Sequence, residues 1–259
     1  KPRADIGGKG LFTKELEEQL YSGEIDLAVH SSKDMPTKLP EGLIISAFLE
    51  REDVRDAFLS LIAKSPDHLP DGAKVGTSSL RRAAQMKRFR PDLRIVDFRG
   101  NVQTRLQKLA DNVADATLLA LAGLNRLGES HRVTQILDER QFPPAPAQGA
   151  ICIETRGDNT EINRLVAALD HEATRQKVVA ERSFLEQLDG SCRTPIAALS
   201  RIENGKLTLY GQLLSVDGSQ AFEHEVSGDA DGGTALGHAL GEHLKAQAGE
   251  DFLQSLKRG

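Results

Sequence analysis

The chain is short of the residues that staple or metallate a fold: its 259 residues include only two cysteines, Cys152 and Cys192. Two thiols make neither a disulfide framework nor a metal cluster, which points to a reducing, cytoplasmic setting. The seven histidines are scattered and form no His-Glu-x-x-His pair, so no metal is expected. No apolar run approaches the ~20 residues of a membrane span. The start at Lys1 lacks Met and is followed by neither a signal-peptide core nor an Arg/Ser-rich transit segment, so it reads as the interior of a longer protein. Aromatic residues are 4% of the chain, leaving few platforms on which nucleic-acid bases could stack.

What remains is an ordinary soluble composition, 39% hydrophobic and 27% charged, in a chain long enough for two or three domains. The net charge of −5 hides a local asymmetry. From Lys74 to Lys108 ten basic residues face only Asp92 and Asp97. That field attracts polyanions. With Phe89 and Phe98 the only aromatics in the segment, a small molecule bearing several carboxylates or phosphates fits better than nucleic acid. Lys87, Arg88 and Arg90 read as a solvated helix face.

Strands and helices alternate through the first two thirds. Phe12, Leu16 and Leu20 recur at helical spacing, with Gly23 as a stop. Strands are expected at Ile25–Val29 and Ile44–Leu49, before the charged break 51–56. Val75-Gly76-Thr77 ends a strand, Ser78-Ser79 caps a helix running to about Phe89, and Pro91 closes it. A strand Leu93–Phe98, a helix Val102–Ala110 and a strand Thr117–Leu121 follow. The order β-α-β-α-β predicts a parallel sheet with helices on both faces. The three prolines of 142–149 mark a second crossing, after which Ala150–Glu154 returns to the first sheet. Two crossings imply a hinged cleft. From Glu172 a long helix reaches Leu188, and three amphipathic strands beyond it predict a small α+β domain with a three-stranded antiparallel sheet. The expected division is 1–50 with 150–168, 55–143, and 172–259.

Four segments invite chemistry. His30-Ser31-Ser32-Lys33-Asp34-Met35-Pro36 puts a carboxylate, an amine and two hydroxyls at a strand end, where open α/β sheets keep their ligand sites, although the same residues also make ordinary turns. Thr77-Ser78-Ser79-Leu80-Arg81-Arg82 offers hydroxyls, free N–H groups and two guanidinium groups at a helix start. Arg99-Gly100-Asn101, with Arg105 one turn on, repeats the device a strand later. Cys192 sits in Gly190-Ser191-Cys192-Arg193, where a nearby cation favours thiolate, whereas Cys152 lies within a strand and reads as inert.

These segments, together with Gly7-Gly8-Lys9-Gly10-Leu11-Phe12, Ala122-Gly123-Leu124-Asn125-Arg126-Leu127-Gly128 and Gln148-Gly149-Ala150, occur in the order seen in hydroxymethylbilane synthases, also called porphobilinogen deaminases. The chain resembles that family over essentially its whole length. The resemblance implies two hinged, periplasmic-binding-protein-like domains plus a third domain carrying the cofactor cysteine. It also implies head-to-tail condensation of four porphobilinogen molecules, with loss of ammonia, to the linear tetrapyrrole hydroxymethylbilane.

By the same resemblance a dipyrromethane cofactor is joined by a thioether to Cys192 and held by Lys33, Asp34, Thr77, Ser78, Ser79, Arg81, Arg82, Arg99 and Gly100. Lys9, Arg99, Arg105, Arg126 and Gln148 would bind the substrate and the growing polypyrrole. Asp34 would be the catalytic carboxylate, and the protein a cytoplasmic monomer that engages neither nucleic acid nor membrane. The family's N-terminal stretch of roughly fifty residues, judged against usual domain size, is expected to be missing, which leaves a truncated, inactive form as an alternative. Asp5 stands where relatives often carry Lys and Ala147 where many have Gly, a change expected to stiffen the hinge. The rival from another class is a non-catalytic anion-binding module of periplasmic-binding-protein type. It would share the hinge and the basic crevice but have no use for Cys192.

Overall fold

The computed structural model describes residues 8–188 and 194–258, with side chains described for 13–188 and 194–256. Helix α1 (Gly8–Ser22) leads into strands β1 (Leu27–Ser31) and β2 (Leu43–Phe48). Leu16 and Leu20, one turn apart, bury one face of α1 against Ala28 and Leu43. Gly23 then takes φ +74, the left-handed value that ends a helix most readily at glycine.

The chain crosses into a second sheet at β3 (Asp56–Ser60), followed by β4 (Lys74–Gly76), α2 (Leu80–Phe89), β5 (Arg94–Val96), α3 (Val102–Ala110), β6 (Ala116–Ala120), α4 (Leu121–Arg126) and β7 (Gln135–Ile136). Both long helices start where side chains cap them. The Ser79 side chain accepts from the Arg82 N–H and the Asn101 side chain from the Thr104 N–H. The sheet order is β5-β4-β6-β3-β7. Its β5-β4-β6 half is parallel, as the alternating pattern predicts, but β3 runs antiparallel to β6 and β7. The sheet is therefore mixed. The reason is the crossing: β3 arrives from the first sheet rather than from a helix of its own unit, so no right-handed crossover sets its direction.

Alternation along β3 sends Phe58 into one core with Val75, Met86 and Leu93, and Ala57 and Leu59 into another with Phe98, Leu106 and Leu124. Helices α2 and α3 thereby cover opposite faces. Strand β8 (Ile151–Arg156) then returns to the first sheet, between β1 and β2 and antiparallel to both, and α5 (Thr160–Val166) follows. Cys152 stands in register with both His30 and Phe48 and is fully buried. Burial pushes its thiol pKa up, which suits an inert core residue.

The C-terminal part begins with α6 (Glu172–Gln187), continues through the meander β9 (Ile196–Glu203), β10 (Lys206–Leu214) and β11 (Ala221–Asp229), and ends in α7 (Gly233–Ala248) and α8 (Glu250–Arg258). All three strands are antiparallel. Phe184 of α6, Leu207 and Leu209 of β10, and Leu240 and Leu244 of α7 form their common core. At Gly237 a Cβ would lie 2.4 Å from the Ala180 carbonyl oxygen, so only glycine lets α7 lie this close to α6. No helix among the described residues is long and apolar enough to cross a membrane.

Candidate active site

Strand β1 ends in a short 3-10 turn, Ser32–Asp34. The turn is held from both sides: the Ser32 N–H donates to the Ala150 carbonyl at 3.0 Å, and buried Met35 packs with Phe48, Cys152 and Val178. This leaves Asp34 exposed and Lys33 partly so. Lys33 Nζ donates to Gln148 Oε1 at 3.3 Å, tying the turn to the returning crossing. Burial, followed by the Arg82 charge, pushes the Lys33 pKa down to about 7, against the upward pull of Asp34 and Asp56. The Asp34 charge is felt as well by Arg105 of α3, in the other half of the α/β body. Burial lowers the Arg105 pKa first, then Arg82, and Asp34 opposes both.

Arg81 and Arg82 do not lie on an exposed helix face. They are 4% and 6% exposed, folded inward onto Asp56, which is 1% exposed. Arg82 Nη2 donates to Asp56 Oδ1 at 2.7 Å and Arg81 Nη2 approaches Oδ2 at 2.8 Å. Gln148 Nε2 adds a bond to Oδ1 at 2.9 Å. Burial raises the Asp56 pKa, but Arg81, Arg82 and Gln148 outweigh it and hold the carboxyl well below the usual range. Carbonyls of Pro143 and Leu118 take one further donor from each arginine. The Nε–H of both guanidinium groups, and Ser32 Oγ, remain buried without a partner.

The other expected residues are placed as follows. Thr77 Oγ accepts from the Ser79 N–H, Ser78 Oγ donates to Asp97, and Ser79 caps α2. Arg99 is largely exposed and pairs with Asp97 at 3.2 Å. Gly100 takes φ +126, and a Cβ there would lie 2.6 Å from the Thr104 side chain. Its carbonyl accepts from Arg105 Nε at 2.9 Å. Arg126 reaches the crossing, donating to the Gly149 carbonyl at 2.9 Å. The fold therefore gathers Lys33, Asp34, Arg81, Arg82, Arg105 and Gln148, with Arg126 on the adjacent residue of the crossing and Arg99 paired at the surface with Asp97. The Lys9 side chain and Cys192 lie outside the described residues.

Lys87 and Arg90 differ from the solvated face expected of them. Lys87 Nζ donates to the carbonyls of Pro91 and Leu93, and Arg90 holds Asp92 and the Leu69 carbonyl, so both close the turn after α2. Asp56 is the residue the sequence reading passed over. Its one visible signal was an acid closing the charged break, at the point where the next apolar strand begins.

A cation-rich set with two buried, unpartnered guanidinium N–H groups suits a ligand carrying several carboxylates. A family model described as "Porphobilinogen deaminase, dipyromethane cofactor binding domain" matches residues 1–164, and "Porphobilinogen deaminase, C-terminal domain" matches 175–246. The chain belongs to the porphobilinogen deaminase family. A porphobilinogen deaminase of Nitrobacter hamburgensis is 53% identical over 252 residues, 97% of this chain and 80% of that protein. Fainter likenesses among solved structures include a putative methionine-binding lipoprotein from Bacillus subtilis, 16% identical at a TM-score of 0.41 over 62% of this chain and 76% of that one. A TRAP periplasmic solute binding protein from Desulfovibrio salexigens is 10% identical, with a TM-score of 0.40 over 64% of this chain and 59% of that one.

As a porphobilinogen deaminase the chain is a transferase of porphyrin biosynthesis with hydroxymethylbilane synthase activity and a dipyrromethane cofactor. The residues present fit that group. Acetate and propionate side chains on pyrrole rings are anions of the kind that paired guanidinium groups with a neighbouring ammonium bind.

Proposed function

We propose that the four porphobilinogen molecules are condensed at the Asp34 carboxylate, in the crevice between the first two sheets. The observation that carries this reading is that Asp34, exposed on the turn beside Lys33, acts electrostatically on both Lys33 and Arg105 of α3, and Arg82 acts on the same two cations. A dipyrromethane held through Cys192 would supply a free pyrrole α-carbon as the nucleophile for chain growth. Asp34 accepts a hydrogen bond from a pyrrole N–H, stabilises the positive charge that develops as the aminomethyl nitrogen departs as ammonia, and takes up the α-proton after the new bond forms.

Arg81, Arg82 and Lys33 hold ring carboxylates, the two unpartnered Nε–H groups being the donors available without breaking the Asp56 pair. Thr77, Ser78, Ser79 and Gly100 set the backbone around them, while Arg99, Arg105, Arg126, Gln148 and Lys9 serve the incoming substrate and the lengthening chain. The functional domains are 1–50 with 150–168, 55–143, and 172–259, in a cytoplasmic monomer that needs no nucleic acid, membrane or metal. Intact-mass measurement tests the anchor. An excess equal to two pyrrole units, lost in Cys192→Ser, supports the reading. Active protein of unmodified mass overturns it.

A further inference from the structure

Helix α6 belongs to the C-terminal part, yet one of its faces is spent on the turn that carries Lys33 and Asp34. Val178, Arg182 and Glu186 follow one another at i, i+4 and i+8, a single stripe of the helix. Val178 packs in the same buried cluster as Met35. Arg182 donates to three carbonyls in succession: from Nη1 to Ser32 and Met35, each at 3.3 Å, and from Nη2 to Pro36 at 2.5 Å. Glu186 meets Lys38 at 3.7 Å in an exposed pair. The adjacent residue, Glu181, holds Arg51 at 2.8 Å and the Ala147 N–H at 2.7 Å, one partner from each crossing segment.

We infer that Arg182 is the positioning residue for the Asp34 turn, fixing the carboxylate from a helix of another domain. Three carbonyl acceptors on one planar fork set both the height and the twist of a 3-10 turn. Lys33 does not hold the turn in this way, because it reaches away to Gln148. Removing the fork frees the turn to move by about an ångström, and displacement of that size at a reacting group costs rate rather than affinity. The inference rests on the assignment of Asp34 as the catalytic carboxylate.

The test is a double-mutant cycle on cofactor-loaded enzyme, read as steady-state ammonia release over a range of porphobilinogen concentrations, with intact mass and Tm measured alongside. Arg182→Met is expected to lower kcat about 10- to 100-fold with KM changed less than about threefold. Arg182→Lys recovers part of the loss. In an Asp34→Asn background Arg182→Met costs little more, because the group it positions has already lost its function. Should Arg182→Met fail to fold, Arg182→Lys is read in the same cycle. An equal fold-loss in both backgrounds, or a loss explained wholly by lower cofactor content, overturns the positioning role and leaves Asp34 standing. Full activity of Asp34→Asn alone instead overturns the site assignment beneath it.

Discussion

Arg82 Nη2 donates to Asp56 Oδ1 at 2.7 Å, joining a helix start to the first residue of β3 in a pair almost wholly withdrawn from solvent. Arg81 takes the other oxygen of the same carboxylate. One buried acid therefore sets the direction of two cations that would otherwise repel each other, and it leaves each Nε–H to spare.

Asp56→Asn is expected to lower stability by about 3 to 5 kcal/mol, because it strands buried guanidinium charge without a counter-charge. Chemical denaturation measures the loss directly. The same pair gives the wild type an acid-sensitive component of stability. With its folded pKa depressed, Asp56 contributes fully above the unfolded carboxylate value of about 3.9 and loses that contribution as pH falls through the folded value. The Asp56→Asn variant should lack that part of the acid transition, and an unchanged acid limb would count against the pair.

Lys33 titrates with the opposite sense. Its folded pKa of about 7 lies below the unfolded value of about 10.4, so between these values the unfolded chain binds more protons and stability rises with pH. Below pH 7 the full cost of burying the ammonium is present. In a Cys192→Ser background, Lys33→Met should raise Tm relative to its parent most at pH 6, with the gap narrowing toward pH 10. A bound carboxylate stabilises the ammonium, so in cofactor-loaded protein the gap should flatten. A gap independent of pH in the Cys192→Ser background would contradict the assignment.

The crossing holds two left-handed residues that differ in consequence. Ala147 has φ +63 and is 1% exposed. Changing it to Gly relieves about 1–2 kcal/mol of backbone strain, but loses about 0.8 kcal/mol of buried methyl and about 0.4–1 kcal/mol through a freer unfolded chain. Ala147→Gly should therefore alter stability by less than about 1 kcal/mol. At Gly149, φ +86, a Cβ would sit 2.6 Å from the Glu52 carbonyl oxygen, against the opposite crossing segment. Gly149→Ala should cost about 2 kcal/mol or more. Thermal unfolding of the two variants side by side distinguishes them, and equal losses would refute the argument.

Local chemistry was legible in the sequence wherever the signal was local. Helix α3 spans Val102–Ala110 as expected, because Asn101 caps it and Leu106 and Leu109 mark its buried face. The meander from Ile196 to Asp229 was visible in its alternation. Asp56 was not, because its partners lie 25 and 26 residues away and only the reversed direction of β3 brings its first residue to the start of α2. The Arg182 contacts span about 150 residues and end on backbone carbonyls, which carry no side-chain identity to read. Ser78, Ser79, Arg81 and Arg82 were recognised as a cationic helix start, but the inward turn of the two arginines depended on an acid supplied by another strand.

The central claim is that the Asp34 carboxylate carries the condensation. Asp34→Asn keeps the size of the side chain and its acceptor oxygen while removing the negative charge and the proton-accepting carboxylate. The decisive measurement is ammonia release from porphobilinogen by purified Asp34→Asn protein whose intact mass still includes the cofactor. A fall of about 10²- to 10⁴-fold relative to wild type is the expected result, and a wild-type rate would contradict the account.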